Sequence, residues 1–246
     1  MHVIVTGAAS GIGQASALRL ARRMKVVVAD RNVEGARKVA AQIEAVGGQA
    51  VAVEVDVSRR ASVAAMVTSA RAAFGPVDAL FANAGINLRN PIDKIAEADW
   101  DLMMDIHVKG VFLCCQAVLG EMSERGRGAI VNTASDFAIM GVAGNATYTS
   151  AKTAIYSLTK AIATEFTPRG IRVNAIGPGP IDTPILASGR SEEQHVALKE
   201  KFAGALALGR MGQPEDVAVV VDFLLSERAS YISGQILHPN GGQLMW

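Results

Sequence analysis

Cysteine is nearly absent from the 246-residue chain: there are two, Cys114 and Cys115, and they are neighbours. Adjacent cysteines have poor geometry for a mutual disulfide, and two cannot make a secreted disulfide framework or a C-x-x-C metal site. No bound metal is expected. An excess of one charge is missing too, since 24 Lys and Arg against 23 Asp and Glu leave a net charge of +1. Without a basic surplus to neutralise phosphates, a nucleic-acid partner is not expected. No unbroken apolar run reaches the roughly 18 residues of a membrane span; the richest, residues 218–225, is interrupted by Asp222. Met1 leads almost at once into the strand-like His2-Val3-Ile4-Val5, so a signal peptide is not expected either. These absences suggest a cytoplasmic protein with no membrane partner. Proline- or glycine-rich linkers and internal repeats are lacking as well, so residues 1–246 read as one domain, long enough for a sizeable core.

What is present is alternation. Strand-like runs at about 2–6, 25–29, 50–55, 77–82, 129–133, 171–176 and 235–238 are separated by helical patterns at 12–23, 33–46, 59–74, 96–123, 147–167 and 214–226. Runs such as Val26-Val27-Val28-Ala29 are continuously apolar, so helices should cover both sheet faces. Repeated strand–helix–strand units mean parallel pairing with right-handed crossovers, an α/β doubly wound seven-stranded sheet. Residues 183–208 depart from this pattern and delay the next regular helix. An insertion beyond a strand's carboxyl end lies where such folds bind ligands, which makes it a substrate lid.

The first strand runs into Thr6-Gly7-Ala8-Ala9-Ser10-Gly11-Ile12-Gly13. Glycines there permit a tight turn and let backbone N–H groups reach a pyrophosphate at a helix N-terminus. Asp30, at the end of the second strand, can accept from the ribose hydroxyls of an adenosine. The spacing is G-x-x-x-G-x-G, and no G-x-x-x-x-G-K-S/T loop appears. Here the sequence resembles the short-chain dehydrogenase/reductase family, and the resemblance runs the whole chain. Asp56-Val57 resembles that family's adenine-contacting segment, Asn83-Ala84-Gly85 its N-A-G motif, and Pro178-Gly179 with Thr183 its nicotinamide-holding P-G-x-x-x-T segment. The resemblance implies a Rossmann-type fold and a cofactor site of Gly7, Ser10, Gly11, Ile12, Gly13, Asp30, Arg31, Asp56, Val57, Asn83, Ala84, Gly85, Tyr148, Lys152, Pro178, Gly179, Ile181 and Thr183. Asp30 would repel a 2′-phosphate and Ser10 is not basic, so NAD is expected rather than NADP, with Arg31 as contrary evidence.

Hydride exchange with an alcohol carbon needs a group that takes or gives the hydroxyl proton. A tyrosine with a cation one helical turn away can serve. Two Tyr-x-x-x-Lys pairs occur, Tyr148 with Lys152 and Tyr156 with Lys160, about 12 Å apart along one helix. The first lies near the helix start that faces the crevice; Tyr156 reads as packing against a neighbouring subunit. Ser135 precedes Tyr148 by thirteen residues at the end of the fifth strand, whereas Ala143, the same distance before Tyr156, has no hydroxyl. The family's Ser, Tyr and Lys therefore carry over to Ser135, Tyr148 and Lys152.

One position departs from the family. His107, before Val108-Lys109-Gly110-Val111-Phe112, stands where relatives have an Asn that helps to hold a proton-relay water; imidazole can both donate and accept, so His107 is a candidate for that role. Asp136, Phe137, Asn145 and residues 183–208 are candidate substrate walls, and Arg89 a candidate for an anionic group. The resemblance implies a homotetramer with the 96–123 and 147–167 helices between subunits. The function expected is an oxidoreductase working between NAD and a secondary alcohol or ketone. The alternatives are an NADPH-dependent 3-oxoacyl-carrier-protein reductase and a dinucleotide-sensing protein without catalysis.

Overall fold

The computed structural model describes residues 1–187 and 191–245. Strands β1 (His2–Thr6), β2 (Lys25–Asp30), β3 (Ala50–Glu54), β4 (Ala79–Ala82), β5 (Gly128–Thr133), β6 (Ile171–Ile176) and β7 (Ile236–Leu237) form one sheet in the order β3-β2-β1-β4-β5-β6-β7. Every pairing is parallel, with Val3 opposite Val26 and Ala79 opposite both Val3 and Ala129. The doubly wound, seven-stranded sheet is thus the one expected.

The valines of β2 are stiff at χ1 and suit a pleated surface. Alternate residues serve opposite faces. Val3, Val5, Val26, Val28 and Phe81 pack with α1 (Gly11–Leu20), α2 (Val33–Ala45) and, further along the chain, the helix Pro214–Leu224. Ile4, Val27, Leu80 and Ile130 meet α3 (Arg60–Phe74) and the later helices Gly110–Glu124 and Ala146–Phe166. Chain order reverses between β1 and β4, which opens a crevice at the strands' carboxyl ends.

Two regions differ from expectation. The single helix expected at 96–123 is α4 (Glu97–Met104), a π-helical turn at Asp105–Lys109, and α5 (Gly110–Glu124). This Glu97–Glu124 stretch is, by length and composition alone and among the described residues, long and apolar enough to cross a membrane. Counting unbroken apolar runs missed it because charged residues interrupt it. Half of its most apolar part is buried inside the fold, so its hydropathy has a use in the core. After α6 (Ala146–Phe166), the 183–208 segment holds α7 (Pro184–Ala187) and α8 (Glu192–Ala205), with α9 (Pro214–Leu224) beyond it. Its residues 188–190 lie outside the described ones. Helix α8 went unforeseen because charges crowd its pattern, yet Ser191 and Gln194 form a capping box at its start.

Away from the crevice, Asp78 joins the amino ends of the strands. It accepts from the His2 N–H at 2.9 Å and from Arg125 Nη1 at 2.9 Å. Asp78→Ala would leave a half-buried guanidinium and an N–H without that acceptor, and should cost about 2 kcal/mol. Urea titration checks this; an unchanged midpoint would contradict it.

Candidate active site

The turn after β1 is shaped by close approach. Gly7 and Gly11 have φ of +65° and +54°, which side-chain-bearing residues rarely adopt. A Cβ on Gly13 would lie 2.0 Å from the Gly7 carbonyl oxygen, and one on Gly7 2.8 Å from Ala84 Cα. The turn is therefore pressed against the end of β4. Thr6 Oγ1 accepts from the Asn83 and Ala84 N–H groups at 3.0 and 3.2 Å, and Asn83 Nδ2 donates to the Thr6 and Gly7 carbonyls at 3.1 and 3.3 Å. Asp30 accepts from the Ala9 N–H at 2.9 Å and the Asn32 N–H at 2.8 Å. At the end of β3, hydrogen bonds from Ser58 hold the Asp56 carboxyl below its ordinary range.

These strand ends border one cavity of about 430 Å³, whose wall includes every expected catalytic and cofactor residue except Gly13. Gly13 acts through the close approach just described. The glycine cradle would be filled by any Cβ, and a Cβ at Gly11 would meet Thr183 Cγ2 at 3.3 Å. That narrow space, with Asp30 and Asp56 at the neighbouring strand ends, fits a dinucleotide. Two expected wall residues are not in the wall. Asp136 is fully buried, and Asn145 precedes α6, where its Oδ1 accepts from Asn87 Nδ2 at 3.3 Å. Phe137 and Arg89 do line the cavity, as do Ile185, Leu186 and Phe202 of the 183–208 segment; Ile86 and Asn87 join them, which sequence reasoning had not named. The only sequence signal for these two is their place beside the N-A-G segment.

Helix α6 carries Tyr148 and Lys152 into the crevice. Lys152 is 2% exposed and donates from Nζ to the Thr133 carbonyl at 2.7 Å, with Nζ 5.4 Å from the Tyr148 ring centroid. Burial lowers the Lys152 ammonium to about 7. Burial likewise raises the Tyr148 phenol to about 12, against the opposite pull of the neighbouring Ser135 hydroxyl and the Arg89 charge. The cation-lowered phenol expected from spacing is thus outweighed by desolvation. Phe137 and His107 hold the Tyr148 ring edge-on, with centroids 6.0 and 5.5 Å away.

His107 lies in the π-helical turn, a device that re-aims side chains and often marks functional positions. Its Nε2 is 2.7 Å from the Ile86 carbonyl oxygen. Burial, assisted by Lys152, lowers the imidazole to about 3, so the ring is neutral near pH 7. The Ile86 N–H also lies 3.2 Å from Nε2, and in either tautomer Nδ1 is buried with no hydrogen-bond partner among the described residues. A Cβ on Gly85 would lie 2.5 Å from His107 Cε1, so the last residue of N-A-G makes room for this ring. Beyond β6, Asp182 accepts from His195 Nε2 at 3.1 Å and Lys199 Nζ at 2.6 Å, which ties α8 to the segment that carries Thr183.

Comparison with known proteins shows the family of the chain. The family described as enoyl-(acyl carrier protein) reductase matches residues 7–243. The cis-4-hydroxycyclohexanecarboxylate dehydrogenase of Sinomonas cyclohexanicum is 40% identical over 97% of this chain and 94% of its own. A 3-oxoacyl-(acyl-carrier-protein) reductase of Staphylococcus aureus is 37% identical over 98% and 97%. The crystal structure of levodione reductase superposes with a TM-score of 0.93 at 36% identity, covering 98% of this chain and 96% of that one. This chain belongs to the short-chain dehydrogenase/reductase family. It is an oxidoreductase of CH–OH groups, and its family works with nicotinamide cofactors.

A testable cost follows from the buried lysine. The unfolded chain keeps Lys152 protonated up to its ordinary value near 10.5, whereas the folded chain loses that proton near 7. The unfolded state therefore binds more protons between pH 7 and 10.5, and the penalty is full below pH 7 and vanishes above that window. Lys152→Met removes that penalty, so its stability relative to the native protein should be higher at pH 6.5 than at pH 10.5 by about 4 kcal/mol. Calorimetry at the two pH values checks the sign; an equal or reversed effect would refute it.

Proposed function

We propose that this protein interconverts a secondary alcohol and its ketone with NAD as cofactor. The observation that carries the reading is the grouping of Ser135, Tyr148 and Lys152 in the same cavity wall as the glycine turn. A bound nicotinamide supplies the hydride acceptor for oxidation and the donor for reduction. In oxidation, Ser135 holds the substrate oxygen by a hydrogen bond and Tyr148 takes its proton as the phenol's own proton passes to the neutral form of Lys152; in reduction, Tyr148 returns a proton to that oxygen and is resupplied from Lys152. Lys152, at about 7, can gain or lose a proton near neutrality and so keeps Tyr148 supplied. The phenol at about 12 is protonated in the free protein, which suits it first as an acid. Phe137, Ile86, Ile185, Leu186 and Phe202 give the substrate end apolar walls, which makes an alicyclic alcohol the first to try, as the hydroxycyclohexanecarboxylate dehydrogenase relative also suggests.

For the cofactor, a carboxylate at Asp30 supports NAD over NADP by repelling a 2′-phosphate. Arg31, in the same wall, favours the opposite choice. The alternative 3-oxoacyl-carrier-protein reductase draws support from the Staphylococcus relative. In this reading residues 1–246 form one domain, the 183–208 segment acts as a substrate lid, and the chain works as a cytoplasmic homotetramer. Exposed Trp100, Leu102 and Phe112 on α4 and α5 support a subunit contact there.

The deciding experiment is a panel of alcohols, ketones and 3-oxoacyl thioesters, followed by nicotinamide absorbance with both cofactors. Turnover of a secondary alcohol with a higher kcat/KM for NAD is expected. Tyr148→Phe should abolish it, by about 10³-fold or more, while NADH binding stays within twofold. A Tyr148→Phe enzyme that keeps its rate, or a better kcat/KM with NADP, would overturn the corresponding part.

His107 is proposed to order a relay water beside Lys152, because its buried Nδ1 lacks another partner among the described residues. His107→Asn should keep substantial turnover, and His107→Leu should lose about 10- to 100-fold. Equal, near-native rates in the two folded variants would leave His107 with no part in proton transfer.

A further inference from the structure

A second string of polar side chains runs behind Ser135, outside the cavity wall. Asp136 is fully buried, His238 follows β7, and Tyr156 lies on α6 two turns beyond Tyr148. His238 Nδ1 is 2.5 Å from Asp136 Oδ1, and its Nε2 is 2.6 Å from the Tyr156 hydroxyl. A carboxylate only accepts, so the ring donates from Nδ1 to Asp136, and in its neutral form accepts the Tyr156 O–H at Nε2. Asp136 Oδ2 is buried with no hydrogen-bond partner among the described residues. The carboxylate therefore leans on His238 for the solvation it lost on burial. Tyr156, read from sequence as packing against a neighbouring subunit, makes this hydrogen bond within its own chain.

Asp136 and Tyr156 come from segments that carry part of the site, and His238 lies against a third. Asp136 follows Ser135 in a three-residue 3-10 turn, where the Asp136 N–H donates to the Pro178 carbonyl at 3.2 Å and the Phe137 N–H to Ser135 Oγ at 3.2 Å. Tyr156 shares α6 with Tyr148 and Lys152. His238 rests on Gly177, next to Pro178 and Gly179; a Cβ on Gly177 would lie 2.4 Å from His238 Cε1.

We propose that Asp136, His238 and Tyr156 form a positioning triad that fixes the Ser135 turn relative to Tyr148 on α6. The proposal rests on the roles given above to Ser135 and Tyr148. The turn also meets α6 through Thr153 Oγ1, which donates to the Ala138 carbonyl at 2.9 Å, but that bond lies at its far end from Ser135, and a displacement of about 1 Å at a reacting group can cost about 100-fold in rate. The triad connects the turn to the helix through two short, directional hydrogen bonds.

Tyr156→Phe deletes one hydroxyl and keeps the ring, so the fold should survive. With whichever panel alcohol the native enzyme oxidises, kcat should fall about 5- to 20-fold, while the KM for cofactor stays within about twofold. Asp136→Asn keeps the acceptor oxygen and should recover most of the rate lost in Asp136→Ala. Hydrogen–deuterium exchange of the 136–138 amides should be about tenfold faster in Tyr156→Phe, with β1 and β4 unchanged. If the native protein turned over no alcohol or ketone, the oxidoreductase reading of the site would fail, and the exchange would still decide whether the triad holds the turn. Native exchange at 136–138 in a folded Tyr156→Phe protein would overturn the triad whatever the activity. Faster exchange with an unchanged kcat in an active enzyme would also overturn it, by leaving the chain a structural role alone.

Discussion

A lysine ammonium that is 2% exposed has to be satisfied inside the protein, and Lys152 finds the Thr133 carbonyl at 2.7 Å for the purpose. That one bond ties α6 to the end of β5 and obliges the neighbouring strand ends to leave a polar pocket beneath the crevice. Desolvation then sets the chemistry. It lowers Lys152 to about 7, raises Tyr148 to about 12 and lowers His107 to about 3. Each group is driven toward its neutral form, so near pH 7 the site holds a neutral phenol, a neutral imidazole and an ammonium poised to titrate. A nearby cation was expected to lower the phenol; with the amine itself this close to neutral, it has less charge with which to do so.

Much of this was legible in the chain because it depends on side-chain identity at fixed spacing. Gly7, Gly11 and Gly13 had to be glycine for steric reasons visible in the G-x-x-x-G-x-G pattern, and uninterrupted valines in β2 announced a sheet covered on both faces. What escaped notice had other causes. Thr133 serves Lys152 through its backbone carbonyl, which carries no residue-specific signal. Asp136 and His238 lie 102 residues apart, and His238 and Tyr156 82 apart; no local pattern links positions so distant. Helix α8 was hidden by its charges, some of which turn out to tie it down through Asp182. The π-helical turn at Asp105–Lys109 looks in sequence like any stretch of helix, since one additional residue in a turn leaves the apolar rhythm almost intact.

The departure at position 107 shows how a substitution spreads into its surroundings. An imidazole needs more room than a carboxamide, and here it lies against Gly85, where a Cβ would come within 2.5 Å. It also edges against the Tyr148 ring at 5.5 Å. The ring therefore packs against the tyrosine in addition to any hydrogen bonding. Asparagine would restore a polar group while loosening the tyrosine's wall, and leucine would fill the wall without the polarity. The two variants separate packing from proton handling because each removes only one of them.

The repeated Tyr-x-x-x-Lys shows why spacing cannot assign chemistry on its own. Both pairs share helix α6, the same period and the same residue types. Lys152 is buried and held by a carbonyl, whereas Lys160 is exposed to solvent. A solvated ammonium is screened by water and salt, so it perturbs Tyr156 only weakly. Tyr156 is bonded instead to His238, whose other nitrogen meets a buried carboxylate; burial and the Asp136 charge both raise its phenol. An acid held that firmly, beside an anion, is poorly placed to give up a proton and well placed to hold a direction. The same four-residue step thus sets one tyrosine beside a buried lysine at the crevice and the other against His238 two turns along α6, and the difference lies in what the sheet ends and β7 bring to each tyrosine.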